Sequence, residues 1–234
     1  MENSDFIKMY REAFGQEASL PICFGYSDEI IGTLSRANGC VFSLFGEVRD
    51  GNVLCVDKDS LTCGGGRLYA GFAEMSERIP EFVAKKERYK QSPEMVKDYV
   101  DNLGILPAPR PYLWFARIDR PMPQDAEGVI FIANPDRISG LAMWACFDNN
   151  APDAVAAPFG SGCCSAITMA VKENHSGGSR VFLGMFDPSA RVFFRADELT
   201  LAVPMCRFRQ MRSTMSDTCL FGPPAWQRLK QRMQ

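Results

Sequence analysis

The chain has 234 residues, with 26 Lys and Arg against 28 Asp and Glu, and therefore a net charge of −2. A chain of this length buries roughly 70% of its unfolded surface, so it needs no disulfide framework for stability. The charge balance argues against nucleic acid as a partner, because phosphate backbones are bound by a surplus of Lys and Arg.

Cysteine usage and the first residues bear on the cellular compartment. The sequence has nine cysteines without regular spacing, and residues 1–5 carry no basic segment of the kind that begins a signal peptide. No run approaches the ~18 apolar residues of a membrane span. We therefore expect a cytoplasmic protein without a membrane partner, whose reduced cysteines serve packing, metal binding or reactivity.

The first part of the chain alternates between helical and extended patterns. The predicted elements are a helix over 3–14 that ends at Gly15, a strand over 21–26, a helix from Ser27 or Asp28 to about 37, and strands over 40–45 and 53–56. Two helices follow over 76–90 and 93–102, the second capped by Ser92, and a proline-rich linker over 106–111 leads to a strand over 112–119.

The second part repeats this alternation. The predicted elements are strands over 128–133, 155–159, 180–186, 192–195 and 199–203, and helices over 137–146, 163–174, from Pro204 to about 214, and after Pro223. Interleaved helices and strands predict an α/β or α+β fold with a mixed β-sheet flanked by helices.

Two segments related by an offset of 108 residues, 21–32 and 129–140, share a strand-cap pattern. In both, a turn that combines Gly and Cys follows about thirty residues later. We therefore predict a single domain, 1–234, with two pseudo-symmetric αβ halves at 15–104 and 112–215 and a C-terminal helix at 223–234.

The turn that concentrates most chemistry is Gly160-Ser161-Gly162, followed by Cys163 and Cys164. Glycines allow a left-handed backbone, which we expect at Gly162, and close approach of a ligand. A helix that begins after them directs unpaired N–H groups at an anion or a thiolate. The alternative is a structural helix start with two buried thiols, because free cysteine is among the most buried residue types. The first interpretation makes all three turn residues ligand-binding candidates.

A second unusual place is Cys63, followed by Gly64 and Gly65. If the two halves pack as a repeat, Cys63 should lie near Cys163 or Cys164. These three thiols are then candidate metal ligands, with Cys55 or Cys40 as a further one. Arg191, after an Asp-Pro turn, is a candidate for binding a carboxylate or phosphate. The alternatives are a flexible corner at the glycines and an exposed arginine after an ordinary turn.

The residues that several other mechanisms require are absent from the sequence. The sequence contains no C-x-x-C pair and no phosphate-binding glycine loop of the usual spacing. Its one histidine, His175, lies about three helical turns from Cys163, roughly 18 Å along the axis, so it cannot act as the base for that thiol within one subunit.

Taken as a set, Cys63-Gly64-Gly65, Gly160 to Cys163, and the tail from Gly184 through Asp187-Pro188-Ser189-Ala190-Arg191 to Val203-Pro204 resemble domain-of-unknown-function family one-six-nine, the ArCR group. The resemblance covers roughly residues 15–215 and implies a soluble prokaryotic protein with a Gly-Cys motif in each half. No defined activity comes with it.

Three functions follow as hypotheses. The first is a binding protein whose Gly-Cys turns bind a small molecule, a transition metal, an iron–sulfur cluster or another cofactor. The second is a thiol-dependent enzyme or sensor that acts on a small anionic compound. The third is an interaction protein with structural cysteines, and a homodimer is left open for all three.

Overall fold

The computed structural model describes residues 2–123, 125–158 and 160–233. Its centre is a mixed sheet of eight strands with helices on both faces, which confirms the predicted fold class. The strands are β1 Ile22–Ser27, β2 Thr33–Leu34, β3 Leu54–Val56, β4 Tyr112–Arg117, β5 Ala126–Ala133, β6 Val155–Ala156, β7 Val181–Gly184 and β8 Leu199–Pro204.

The α-helices, in chain order, are α1 Asn3–Phe14, α2 Phe45–Arg49, α3 Gly64–Tyr69, α4 Arg78–Glu81, α5 Pro93–Leu103, α6 Pro135–Cys146, α7 Met169–Ser176, α8 Pro188–Arg191, α9 Met205–Thr214 and α10 Pro224–Arg232. A π-helical turn over Phe82–Glu87 continues α4, and another over Cys164–Thr168 precedes α7. 3₁₀ turns cover Val41–Leu44 and Met215–Asp217.

The order of strands across the sheet is β2-β3-β4-β1-β5-β8-β7-β6. The strands form two sets, β1 to β4 and β5 to β8, and each set has the same order from its edge to the centre of the sheet. Each set has one parallel pair at its edge, and the remaining pairs are antiparallel. Ile22 and Ile130, which the 108-residue offset matches, are direct partners in the central β1–β5 ladder. The predicted halves placed β4 in the second half, whereas the strand order groups it with the first set.

The two faces of the sheet carry separate apolar cores because side chains alternate along each strand. In β1, Phe24 lies in the core on one face, and its neighbour Cys23 lies in the core on the other. Cys163 and Cys164 belong to the same core as Phe24. The second face packs α1, α6 and α9 through buried aromatic residues such as Trp144.

Most predicted elements with a clear cap or breaker are confirmed. Helix α1 ends at Gly15, whose φ is +96°, and Ser92 accepts a hydrogen bond from the backbone N–H of Met95 at the start of α5. The predicted helix over 76–90 is shorter, because it begins at Arg78 and ends at Arg88, which has a left-handed φ of +58°.

Three predicted elements are wrong. The helix over 28–37 does not form, because Gly32 takes a left-handed φ of +71°, and residues 33–34 pair with β3 instead. The strand over 40–45 is a 3₁₀ turn that runs into α2. The strand over 192–195 is absent from the described residues, and Val192 is 75% exposed where a strand would need burial.

The predicted strand over 155–159 is present only as β6, Val155–Ala156, and Phe159 lies outside the described residues. Among the helices of the described ranges, none combines the length and the apolar character that a membrane crossing requires.

Candidate functional site

A cavity of about 580 Å³ lies where the two Gly-Cys turns meet the segment from α4 to α5. Its lining includes three thiols (Cys40, Cys63 and Cys163), both glycine-rich turns (64–66 and 160–162), several aromatic side chains (Tyr69, Phe82, Tyr89 and Tyr99) and five charged residues (Arg67, Arg78, Glu87, Lys90 and Asp187). The volume lies within the range typical of small-molecule sites.

Hydrogen bonds to two polar side chains fix the turn before Cys163. The backbone N–H of Gly162 donates to Oδ2 of Asp187 at 3.2 Å, and the N–H of Cys164 donates to Oγ of Ser161 at 3.2 Å. The other carboxylate oxygen of Asp187 accepts from the backbone and side chain of Ser189. Asp187 thereby joins the Gly-Cys turn to the start of α8.

Glycine is required at 162 and 160 by crowding, since neither residue has a positive φ. A Cβ on Gly162 would lie 2.9 Å from both Ala190 and Phe42. A Cβ on Gly160 would lie 2.9 Å from Cys164. The expectation that Gly162 adopts a left-handed conformation is therefore wrong, and a larger side chain there would also disturb the packing.

The two adjacent cysteines face different surroundings. Cys163 lines the cavity, whereas Cys164 is not among its described lining residues and is fully buried. The Sγ atom of Cys164 lies 3.5 Å from the hydroxyl oxygen of Tyr99, and burial raises the pKa of this thiol to about 11. Cys164 is therefore a protonated core thiol, and Cys163 is the member of the pair that lies at the cavity.

The thiols of Cys40 and Cys163 line the same cavity and shift each other's pKa in opposite directions. Interaction with the Cys163 thiol lowers the pKa of Cys40, which is half-buried. The same interaction raises the pKa of Cys163 well above its usual value, and burial and the nearby charges of Cys40, Cys63 and Asp187 add to that rise. Of the two thiols, Cys40 is thus the one that ionises more readily.

Cys63 is the N-cap of α3, where its Sγ accepts a hydrogen bond from the backbone N–H of Gly66 at 3.4 Å. The three residues after it, Gly64, Gly65 and Gly66, are helical and have no positive φ. A Cβ on Gly64 would meet nothing within 4 Å, and one on Gly65 would make only ordinary contacts. Neither backbone conformation nor packing therefore requires glycine at 64 or 65, where the helix forms one wall of the cavity.

Arg191 lies outside the described lining of the cavity. Its guanidinium donates to the backbone carbonyls of Arg195 (3.3 Å), Ala196 (2.8 Å) and Glu198. These bonds hold the loop between α8 and β8, so we do not assign ligand binding to Arg191.

The predicted metal ligands do not form one set. Cys63 and Cys163 line the same cavity, but Cys164 packs against Tyr99. Within the described ranges, no three Cys, His, Asp or Glu side chains form a group that could hold a metal ion. His175 contacts Glu127 at 3.0 Å through Nε2 and is not a lining residue of this site as described.

Sequence reasoning gave Cys40 only a minor part, although the strand order makes it the counterpart of Cys163. Gly39-Cys40 lies between the second and third strands of the first set, as Gly162-Cys163 does in the second set. The internal repeat in the sequence instead pairs Cys63-Gly64 with Gly162-Cys163, because the positions of β2 and β6 cannot be read from the sequence. The useful signal was the Gly-Cys dipeptide itself, which the two positions share.

Comparisons with known proteins agree with the resemblance in the motifs. No curated protein and no solved structure matches the chain significantly. The sequence model of one family matches residues 15–213, a range that contains all the thiols, turns and charged residues of the cavity. The chain therefore belongs to domain-of-unknown-function family 169, which is described as "Uncharacterised ArCR".

Proposed function

We propose that the protein is a dithiol redox protein that exchanges electrons with a small-molecule disulfide bound in the cavity. The observation that carries this proposal is that Cys40 and Cys163 line one cavity and interact closely enough to shift their pKa values in opposite directions. A thiolate is the attacking species in thiol–disulfide exchange, and a neighbouring thiol is needed to resolve the mixed disulfide.

The two sulfurs have different access to a ligand. Cys40 is half-buried in the cavity wall, whereas Cys163 is only 4% exposed. A bound disulfide can therefore meet the Cys40 thiolate first. Cys163 is placed to react with Cys40 and is poorly placed to react with molecules from solvent.

The proposed reaction has two steps. The Cys40 thiolate attacks one sulfur of R–S–S–R, the S–S bond breaks, and one thiolate leaves while a Cys40–S–S–R bond forms. Cys163 then loses its proton and attacks Sγ of Cys40, which releases the second thiolate and forms the Cys40–Cys163 disulfide. The protein loses two electrons and the one proton of Cys163, and the substrate gains the two electrons and leaves as two thiolates.

Metal or cluster binding, the first hypothesis from the sequence, has weaker support. Cys40, Cys63 and Cys163 share the cavity, but they do not form a metal-holding group in the described part of the chain. The interacting thiols of Cys40 and Cys163 favour the second hypothesis, a thiol-dependent protein, with Cys40 as the reactive thiol instead of Cys163 or Cys164.

The test uses 5,5′-dithiobis(2-nitrobenzoate), an aromatic disulfide, in a Cys146→Ser background, since Cys146 is exposed. We expect two equivalents of thionitrobenzoate in the fast phase and a Cys40–Cys163 disulfide in the peptide mass map. Cys163→Ser should release one equivalent and retain a stable mixed disulfide on Cys40. Cys40→Ser should lose the fast phase.

Cys219→Ser is the matched control, because Cys219 has the same half-buried class of exposure as Cys40 and lies outside the cavity lining as described. It should keep the fast phase. The proposal fails if Cys40→Ser reacts as fast as the parent, or if the oxidised protein carries no Cys40–Cys163 bond.

A further inference from the structure

Helices α3 and α8 occupy equivalent places in the two strand sets, since each is the first helix after the third strand of its set. In both, an arginine lies four residues after the N-cap: Arg67 after Cys63, and Arg191 after Asp187. The two arginines therefore allow a direct comparison of what the fold gives each guanidinium to bind.

The comparison shows a difference. Arg191 donates to three backbone carbonyls of its own loop. Arg67 lines the cavity, and its Nε is buried without a hydrogen-bond partner among the described residues. A buried donor of a charged group that lacks a partner is costly, so native structures usually satisfy such a group with protein, water or ligand. In the second set the protein satisfies the arginine, whereas in the first set an arginine at the cavity keeps an unpartnered Nε among the described residues.

The other charges of the cavity also favour an anion. Arg78 and Lys90 line it together with Arg67, which gives three cationic side chains. Of the two carboxylates, Asp187 is already bonded to Gly162 and Ser189. Burial and the charge of Asp187 raise the pKa of Glu87, which weakens its tendency to be negative.

The remaining wall is suited to an apolar body. Tyr69, Phe82, Tyr89 and Tyr99 line the cavity, and Lys90 lies 4.5 Å above the ring of Tyr99. Aromatic side chains supply large apolar contact area and favour ring stacking.

From these observations we infer that the cavity binds a small organic anion, with its carboxylate, sulfonate or phosphate on Arg67 and its aromatic or aliphatic body against the tyrosines. The inference rests on the proposed function only in making this molecule the substrate of Cys40. Planar guanidinium groups bind such anions through two parallel hydrogen bonds, which fixes the orientation of the ligand as well as its charge.

Two fluorescent dyes of similar shape test this assignment. 8-Anilino-1-naphthalenesulfonate carries a sulfonate, and N-phenyl-1-naphthylamine lacks it. We expect the wild-type protein to bind both dyes at one site. Arg67→Gln should weaken binding of the sulfonate by about tenfold or more and change binding of the neutral dye little, because one charged hydrogen-bonding partner is lost.

Arg209→Gln is the control for loss of one positive charge, because Arg209 is exposed and outside the described lining. It should leave both affinities unchanged. Equal loss of both dyes in Arg67→Gln would overturn the inference, as would unchanged sulfonate affinity or absence of sulfonate binding to the wild type. A thermal melt of each variant separates a loss of binding from a loss of folding.

This test is independent of the thiol chemistry, because neither dye is a disulfide. Selective loss of sulfonate binding without exchange at Cys40 would support the anion site and reject the redox proposal. Exchange at Cys40 together with unchanged sulfonate affinity in Arg67→Gln would support the redox proposal and reject the anion site.

Discussion

At the scale of single residues, the reactivity of Cys40 depends on the proton held by Cys163. Interaction with the Cys163 thiol lowers the pKa of Cys40, so the Cys40 thiolate persists to lower pH than that of an isolated thiol. Loss of the Cys163 thiol should therefore raise the pKa of Cys40.

The corresponding prediction concerns the pH dependence of alkylation. In Cys163→Ala, the pH midpoint for reaction of Cys40 with iodoacetamide should move upward, and Cys163→Ser, which keeps a donor, should shift it less. Residue-resolved mass spectrometry over a pH series measures both. Cys164→Ala serves as control, because Cys164 contacts Tyr99. A midpoint that stays or falls in Cys163→Ala would contradict the inference that the Cys163 thiol lowers the pKa of Cys40.

Part of this site could be predicted from residue types alone. The Gly-Ser-Gly turn and Cys163 stand out because glycines next to cysteine before a helix have few purely local explanations. Cys40 and Arg67 could not be assigned in the same way, since their roles depend on contacts between distant segments. The choice between Cys163 and Cys164 required the orientation of the helix, which a dipeptide does not specify.

At the scale of elements, α3 is unusual because its first turn consists of three glycines. Glycine costs up to about 1 kcal/mol relative to alanine in a helix interior, so this sequence weakens the element. Gly64 and Gly65 have room for a Cβ, and packing therefore does not explain the cost. Local rules are most often broken at functional sites, which fits the position of α3 in the cavity wall.

We predict that Gly64→Ala combined with Gly65→Ala raises the melting temperature, by about 2–4 °C for each kcal/mol gained. The added methyl groups should also slow the reaction of 5,5′-dithiobis(2-nitrobenzoate) with Cys40, because they narrow the cavity. Calorimetry and stopped-flow absorbance measure the two effects. A lower melting temperature would show that the fold itself needs these glycines.

Gly46→Ala is a useful comparison for stability. Gly46 lies in helix α2, and a Cβ there would meet nothing within 4 Å. It should raise the melting temperature without affecting Cys40, since Gly46 is outside the described lining of the cavity.

The elements also show where pattern reasoning works. Helices with a side-chain cap or a terminal glycine, such as α1 and α5, are predictable because local groups satisfy their ends. The segment over 40–45 is ambiguous in sequence, because Val41, Phe42 and Phe45 suit a strand as well as a helical turn. Packing of this segment against the core on one face of the sheet decides between a strand and a helical turn.

At the scale of the whole molecule, Cys40 and Cys163 belong to different strand sets. Oxidation would therefore link the two sets and close a loop of about 120 residues. A crosslink over a loop of this length reduces the entropy of the unfolded chain, and the expected stabilisation is about 4–5 kcal/mol before any strain is subtracted.

The oxidised protein should accordingly unfold at a higher denaturant concentration than the reduced protein. Urea titrations of the two forms, followed by tryptophan fluorescence, measure the difference. The same oxidation applied to Cys163→Ser should give no stabilisation. Equal midpoints for the two wild-type forms would mean that the bond does not form or that strain cancels its effect.

The two edge strands of the sheet affect how the protein associates in concentrated solution. Each is formed by a strand of only two residues, Thr33–Leu34 on one side and Val155–Ala156 on the other. A long open strand offers unpaired N–H and C=O groups to another chain, whereas a strand of two residues offers very few. The short marginal strands thus limit strand-to-strand association and the growth of fibrils from the native fold.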